Sequence, residues 1–230
     1  MFKIFSYNSS KAFTLAETLI VMGIIGVVAA LTLPNLNQST NNKEKVVKVK
    51  KIYQNLNDAF GRATVVYGPY DAWFINDSNA TAQCTRFGER MTEFMKLSKN
   101  CKMTKGCYES GSGTSSYYQF ILADGTSVSS SINYFEVDID GLNKGKNHDG
   151  YDRFWFKVDN NTIIPYPVST YSYTSGATML SSCNRAGGIG CTQWVIDYDN
   201  MDYLKLDSSG KCPNGTALNI TASPPVISCN

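Results

Sequence analysis

One acidic residue inside a long apolar segment constrains this chain more than any other feature. The segment runs from Phe13 to Leu36, and Glu17 is its only charged residue. At about 1.5 Å per residue, a helix of this length extends roughly 36 Å, which is enough to cross the ~30 Å hydrocarbon core of a bilayer. A carboxylate near the centre of a bilayer costs about 2.5–3.5 kcal/mol, and less near its edge. Glu17 therefore predicts a functional role and a partner of opposite charge.

The residues before the apolar segment indicate where the chain is cut. Residues 1–12 carry Lys3 and Lys11 and no acid. An ordinary signal peptide is cut at small residues beyond its apolar run, whereas here the small residue Ala12 precedes the run. Cleavage after Ala12 would leave the whole apolar helix on the mature chain, beginning at Phe13.

The residues from Lys11 to Leu19, KAFTLAETL, resemble the N-terminus of type IV prepilins and type II secretion pseudopilins. The resemblance extends through Gly23, Gly26, the Ala29-Ala30 pair and Pro34. It implies that a prepilin peptidase removes a short basic leader and that the new N-terminal amine is methylated.

Carried over to this chain, the resemblance implies a leader peptide at residues 1–12, a scissile bond between Ala12 and Phe13, and methylation at Phe13. Glu17 occupies the acidic position of the family, four residues after the mature start. The family usually has Gly before the cut, whereas this chain has Ala12. Because Ala is the smallest alternative to Gly, we expect the cut to occur there, at a lower rate.

The resemblance also implies a partner for Glu17. After the cut, the free amine of Phe13 is mostly cationic at neutral pH, and methylation keeps that charge. In a low-dielectric filament core, the ammonium group of one subunit and Glu17 of the next would neutralise each other. A misregistered subunit would leave a buried charge unpaired at a cost of about 3–5 kcal/mol, so the pair would set the axial register. The alternative is a plain signal anchor with a chance Glu near its end.

The charge of the chain gives no argument for binding to nucleic acid. It has 21 basic and 19 acidic residues, and loss of Lys3 and Lys11 with the leader makes the two numbers equal. Five lysines follow the apolar segment: Lys43, Lys45, Lys48, Lys50 and Lys51. We interpret them as the solvated face of a helix, with a DNA-binding or lipid-headgroup patch as the alternative. By the positive-inside rule they would place the C-terminal side in the cytoplasm, but the motif and the cysteines favour the periplasm.

All seven cysteines follow the apolar segment: Cys84, Cys101, Cys107, Cys183, Cys191, Cys212 and Cys229. No pair has the spacing of a zinc site, and the single histidine, His148, cannot complete a common Cys/His site. Disulfides in an oxidising compartment fit better. The candidate pairs are those that close short loops, with Cys84 left over, but spacing alone does not determine connectivity. They are Cys101–Cys107, Cys183–Cys191 and Cys212–Cys229.

Apolar residues continue at helical spacing after Pro34. They fall three or four positions apart, with lysines on the other face: Val46, Val49, Tyr53, Leu56, Phe60 and Ala63. This period predicts a helix from about Thr14 to about Val66, with a bend or break around Pro34 and an end at Gly68-Pro69. The helix divides into a transmembrane or filament-core part at 13–36 and an amphipathic part at 37–67.

Residues 68–230 are predicted to form a soluble globular domain. Short helices are predicted at Phe87–Leu97, Thr192–Asp197 and Met201–Leu204. Strand-like runs, the first two joined by an Asp124-Gly125 turn, lie at Tyr117–Leu122, Ser127–Ser131, Asn133–Ile139 and Arg153–Val158. The predicted fold class is α+β: a long N-terminal α-helix, apolar then amphipathic, packed on a small antiparallel β-sheet, with a Cys-rich, loop-rich C-terminal region. This order of elements again resembles pilins and pseudopilins.

An acidic loop joins two of the predicted strands. Six of its side chains offer oxygen atoms: Asp138, Asp140, Asn143, Asn147, Asp149 and Asp152. Hard cations take six to eight oxygen ligands, and pseudopilins often carry calcium in a loop beyond the helix, so the resemblance makes Ca²⁺ a candidate ligand. The EF-hand pattern is not met, because no Glu closes it at the required offset. The alternative is a turn-rich loop in which Asp and Asn side chains bond to the backbone.

The sequence predicts a structural protein rather than an enzyme. A single histidine excludes most Ser-His-Asp and Cys-His arrangements, and no cofactor is required beyond the candidate Ca²⁺. The leading hypothesis is a pilin-type subunit, held in the inner membrane by a single pass with its C-terminal domain in the periplasm, then assembled into a type IV pilus or type II secretion pseudopilus. Its partners would be identical or related subunits, prepilin peptidase and the inner-membrane assembly machinery, with no nucleic acid. The alternative is a monomeric, membrane-anchored periplasmic binding module or adhesin.

Overall fold

The computed structural model describes residues 14–74, 77, 79–109, 117–166, 183, 190–207, 211–216, 218–220 and 227–229. The chain divides into two compact units, residues 1–41 and residues 42–230. Helix α1, Leu15–Tyr67, contributes residues to both units.

Helix α1 begins and ends close to the predicted positions, at Leu15 and Tyr67. It is not broken at Pro34, because the backbone is helical on both sides of this residue and at it. A proline removes one N–H donor from a helix, which weakens the helix without necessarily ending it. Gly68 follows α1 with a φ of +82°, the left-handed conformation that commonly ends a helix.

The amphipathic half of α1 supplies one side of the core of the second unit. Five of the six predicted core residues are at most 5 % exposed: Val46, Val49, Leu56, Phe60 and Ala63. The sixth, Tyr53, is partly buried, and its ring stacks on that of Phe156 with the centroids 5.8 Å apart. Side chains spaced three and four apart lie on one face of a helix, so the predicted core face is confirmed.

A six-stranded antiparallel sheet completes this core. Its strands follow chain order and are β1 (Leu97–Lys102), β2 (Tyr118–Leu122), β3 (Ser127–Ser130), β4 (Tyr134–Asp138), β5 (Arg153–Asp159) and β6 (Thr162–Pro165). The four predicted strands are β2 to β5, so the predicted meander and the α+β class are confirmed. Alternate residues of β4 and β5 are fully buried, as a period of two requires: Phe135, Val137, Phe154 and Phe156.

Three elements differ from the prediction. The helix predicted at Phe87–Leu97 lies earlier, because α2 spans Ala80–Thr92 and begins where the Asn79 side chain accepts the N–H of Ala82 at 2.8 Å. The residues from Leu97 onward form β1, an edge strand whose side chains are exposed or half-exposed and show no apolar alternation. Strand β6 is not among the predicted strands; it is joined to β5 through Asn160-Asn161, which both have positive φ, as in a type I′ turn.

Short elements and disulfides hold the C-terminal region. Helix α3, Cys191–Tyr198, contains the predicted helix at Thr192–Asp197, and a 3₁₀ helix at Asp202–Lys205 stands at the other predicted position. Further 3₁₀ helices lie at Tyr70–Phe74 and Pro213–Gly215, and β7 (Leu218–Ile220) pairs with β8 (Ile227–Cys229). The disulfides join Cys101 to Cys107, Cys183 to Cys191 and Cys212 to Cys229, while Cys84 is free and buried. These are the pairs that short loops favour.

Candidate functional site

Two parts of the chain carry the predicted site residues: the start of α1 and the loop between β4 and β5. At the start of α1, Ala12 and Phe13 lie outside the described residues, so the predicted scissile bond is not described. The described part begins at Thr14, and Glu17 lies in the first turn of α1.

Thr14 and Glu17 form reciprocal hydrogen bonds, in which each residue both donates and accepts. The Glu17 carboxylate accepts the backbone N–H of Thr14 at 2.9 Å and the Thr14 hydroxyl at 2.8 Å, and the Glu17 N–H is donated to the same hydroxyl oxygen at 3.3 Å. This is a capping box, which satisfies N–H groups that the first turn of a helix leaves without partners. Sequence reasoning missed the role of Thr14, although the spacing Thr-x-x-Glu is the signal of this motif.

The remaining side chains of this stretch form an exposed apolar surface. Its nine large apolar residues are each at least 51 % exposed within the chain: Leu15, Leu19, Ile20, Val21, Met22, Ile24, Ile25, Val27 and Val28. Among the described residues, a Cβ atom placed on Gly23 or Gly26 would meet nothing within 4 Å. Within the described residues, no helix combines the length and the apolar character needed to cross a membrane.

The loop between β4 and β5 folds around two buried carboxylates. Asp138 accepts the N–H groups of Asp140 and Gly141, both at 3.1 Å. Asp152 accepts the N–H groups of three consecutive residues at 2.5, 2.9 and 2.6 Å, namely Lys146, Asn147 and His148. These bonds are the side-chain-to-backbone turns of the alternative interpretation of this loop.

The pKa of Asp138 is raised to about 6. Burial is the main cause and the nearby charge of Asp152 adds to it, while the N–H groups of Gly141 and Asp140 and the Arg153 guanidinium act in the opposite direction. The Arg153 Nε lies 3.8 Å from an Asp138 oxygen. Asp138 is therefore a buried carboxyl that the fold prefers to keep neutral at mildly acid pH.

Asp140 is bound by lysines of α1. The Lys45 Nζ lies 3.1 Å from one Asp140 oxygen and donates to the Tyr151 carbonyl at 3.2 Å, and the Lys48 Nζ lies 4.0 Å from the other Asp140 oxygen. Lys45 is only 3 % exposed. The interpretation of this lysine as part of a solvated face is therefore wrong, because a carboxylate 95 residues away in sequence draws it inward.

Two further lysines of the same stretch also meet acidic partners. Lys50 pairs with Asp199, and the Lys51 Nζ lies 3.0 Å from Asp124. The lysine-rich face of α1 is thus in good part a set of ion pairs with loops of the second unit.

Two of the other three predicted calcium ligands form hydrogen bonds elsewhere, and the third is exposed. Asn147 donates to Glu109 at 2.8 Å, Asp149 accepts the Trp155 Nε1 at 3.0 Å, and Asn143 is exposed. Across the described part of the chain, no group of three or more acidic, histidine or cysteine side chains is arranged to hold a metal ion. Calcium binding by this loop stays a prediction.

The comparisons with known proteins concern the N-terminal segment. The family described as the prokaryotic N-terminal methylation motif matches residues 7–33, which is the prepilin-type cleavage and methylation segment. The resemblance to the prepilin-type segment is thereby confirmed. Comparison with curated proteins and with solved structures found no match.

Proposed function

We propose that this chain, which carries the prokaryotic N-terminal methylation motif at the start of an apolar helix, is a structural subunit of a type IV pilus or a type II secretion pseudopilus. The motif at residues 7–33 is the observation that carries this proposal. Prepilin peptidase removes residues 1–12 by cutting after Ala12, and the amine of Phe13 is then N-methylated.

Assembly proceeds through the apolar start of α1. The large apolar side chains between Leu15 and Val28 are more than half exposed, and burying them in a bilayer or against other subunits is favoured by about 25 cal/mol per Å². Gly23 and Gly26 support this view, because a glycine weakens a helix by up to about 1 kcal/mol and no described residue packs closely against either position. A neighbouring helix could approach closely at both positions.

Glu17 pairs with the N-terminus of a neighbouring subunit in this proposal. In the single chain its carboxylate is bound by Thr14, which keeps it beside the start of α1. The free amine of an adjacent subunit's Phe13 would add a full positive charge to these hydrogen bonds, and a buried carboxylate needs such a partner.

The subunit is held in the inner membrane by residues 13–36 before assembly, with the globular domain in the periplasm. The three disulfides support this location, because disulfides persist in oxidising compartments and are rare in the cytosol. Its partners are identical or related subunits, prepilin peptidase and the inner-membrane assembly machinery.

The test is the N-terminus of the mature protein. The full chain is produced in cells with and without an active prepilin peptidase, and the N-terminal peptide is identified by mass spectrometry. We expect N-methylated Phe13 only where the peptidase is active. An intact Met1, or a cut beyond Leu33, in the presence of the peptidase would instead support the monomeric membrane-anchored binding module or adhesin.

A further inference from the structure

We infer that the ammonium group of Lys45 is the resident cation of the β4–β5 loop, and that this loop keeps its fold without a divalent metal ion. Lys45 reaches the loop from α1 and is 3 % exposed. Its Nζ contacts an Asp140 oxygen at 3.1 Å and the Tyr151 carbonyl at 3.2 Å, and lies 3.6 Å from the centre of the Tyr151 ring. A carboxylate, a carbonyl and an aromatic face are together the surroundings that a buried ammonium group requires.

The loop brings its carboxylates together at one point. Gly145 has a φ of +73°, and a Cβ atom there would collide with the Asp152 carboxylate and lie 2.9 Å from that of Asp140. The two carboxylates therefore converge over Gly145, where their negative charges repel each other. Lys45 on Asp140, and the three N–H groups that Asp152 accepts, supply the compensating positive charge.

A calcium ion would have to compete with these partners. It takes six to eight oxygen ligands. The oxygens of Asp138 and Asp152 already accept five backbone N–H groups, and Asp140 faces both Lys45 and Lys48. The Lys146 ammonium lies 4.2 Å from the centre of the Tyr151 ring, so a third positive charge stands nearby and would repel a divalent cation.

The experiment compares variants of the full chain, purified in detergent, by thermal unfolding in EDTA and in millimolar Ca²⁺. For the wild type we expect the same Tm in both conditions and no heat on titration of Ca²⁺ by calorimetry. Lys45→Met is expected to lower the Tm in EDTA by about 5–10 °C, because it leaves Asp140 without its buried partner. Lys43→Met is the matched control: the same substitution at an exposed lysine one half-turn earlier, with no change expected.

A local measurement and a double variant make the test specific. In Lys45→Met, hydrogen exchange at the three backbone amides that donate to Asp152 should become at least ten times faster. Exchange in β2 and β3 should not change. Lys45→Met combined with Asp140→Asn should lose less stability than the sum of the two single variants, because the same contact is removed twice.

Several results would overturn the inference. A rise in the wild-type Tm on addition of Ca²⁺, or measurable heat of Ca²⁺ binding, would make the loop a metal site. An unchanged Tm for Lys45→Met in EDTA, or strict additivity in the double variant, would show that the ammonium group does not hold the loop. The wild-type titration remains decisive even if Lys45→Met does not fold.

Discussion

The two halves of helix α1 differ in the exposure of their apolar side chains. Between Leu15 and Val28 the large apolar residues are more than half exposed. Between Val46 and Ala63 the apolar residues at helical spacing are buried against the sheet and the neighbouring 3₁₀ helix. Both stretches are helical, so secondary structure does not distinguish them.

The two stretches differ in what buries their apolar surface. The second stretch finds its solvent-excluded partner within residues 42–230, and its stability is a property of one subunit. The first stretch forms hydrogen bonds between Thr14 and Glu17, but its large apolar side chains are exposed in the described part of the chain. Burial of that surface by a bilayer or by other subunits is what the proposed function supplies.

Matched truncations in the two stretches should change the free energy of unfolding by very different amounts. Phe60 is 1 % exposed and its ring lies 5.4 Å from that of Trp73, so Phe60→Ala should lower the free energy of unfolding by about 3–5 kcal/mol. Ile24 is 60 % exposed, so Ile24→Ala should change it by less than about 0.5 kcal/mol. Denaturant unfolding of the full chain in detergent, followed by tryptophan fluorescence, measures both. An equal loss in the two variants would contradict the contrast between the stretches.

Removal of the charge of Glu17 should reduce filament assembly without changing the stability of the globular domain. Glu17→Gln keeps the size and an oxygen acceptor for Thr14, but leaves the neighbouring ammonium group unpaired, at a cost of about 3 kcal/mol in a dry interface. We expect at least a tenfold drop in filament yield, measured on sheared filaments, with the unfolding of the globular domain unchanged. Thr18→Val, one residue further along the exposed helix, is the control and should assemble normally. Normal filaments from Glu17→Gln would refute the pairing.

The fold was largely predictable because its two periods are visible in the sequence. Val49, Leu56 and Phe60 repeat at helical spacing, and Phe135 with Val137 alternate as a strand on a core requires. Strand β1 was missed because its residues, LSKNCK, carry no apolar alternation. An edge strand is held by backbone hydrogen bonds to β2, which no side-chain pattern reports.

The site was less predictable because its contacts join distant parts of the chain. In sequence, Lys45 is one lysine among five, and only its approach to Asp140 makes it a buried cation. The acidic loop shows which residue types are present but not where their oxygens point. Backbone N–H groups bind Asp138 and Asp152 because the turns at Gly141 and Gly145 have positive φ. Thr14 was the exception, since its capping role could have been read from four residues.

The stability of the second unit, residues 42–230, should depend on pH through the ionisation of Asp138. Its pKa in the folded protein is about 6, above the value of about 4 for an unfolded chain, so the folded state binds more protons between these two pH values. Stability should therefore fall as pH rises from about 4 to about 6, by up to about 3 kcal/mol, and the full penalty should persist above pH 6.

Asp138→Asn should flatten this pH dependence. The amide oxygen of the substituted side chain can still accept the N–H groups of the following turn, but the side chain has no charge to bury. Denaturant unfolding across pH 4–7 in EDTA measures the change, and Asp58→Asn, an exposed carboxyl paired with Arg62, is the control. An identical slope for Asp138→Asn and the wild type would show that another group dominates this range.

The smallest expected effect on stability is that of a substitution at Thr14, at the start of the exposed half of α1. Thr14→Val removes the hydroxyl that donates to the Glu17 carboxylate and accepts the Glu17 N–H, and a lost helix cap costs about 1 kcal/mol. Amide exchange at Glu17 in detergent should therefore speed up about fivefold, with the unfolding of residues 42–230 unchanged. If the carboxylate acts mainly as a partner for a neighbouring subunit, Thr14→Val should reduce filament yield far less than Glu17→Gln does. Equal losses of filament in the two variants would mean that Glu17 acts through the cap of its own helix. In that case the polar groups at the start of α1 would need no partner from a neighbouring subunit, and only its apolar side chains would.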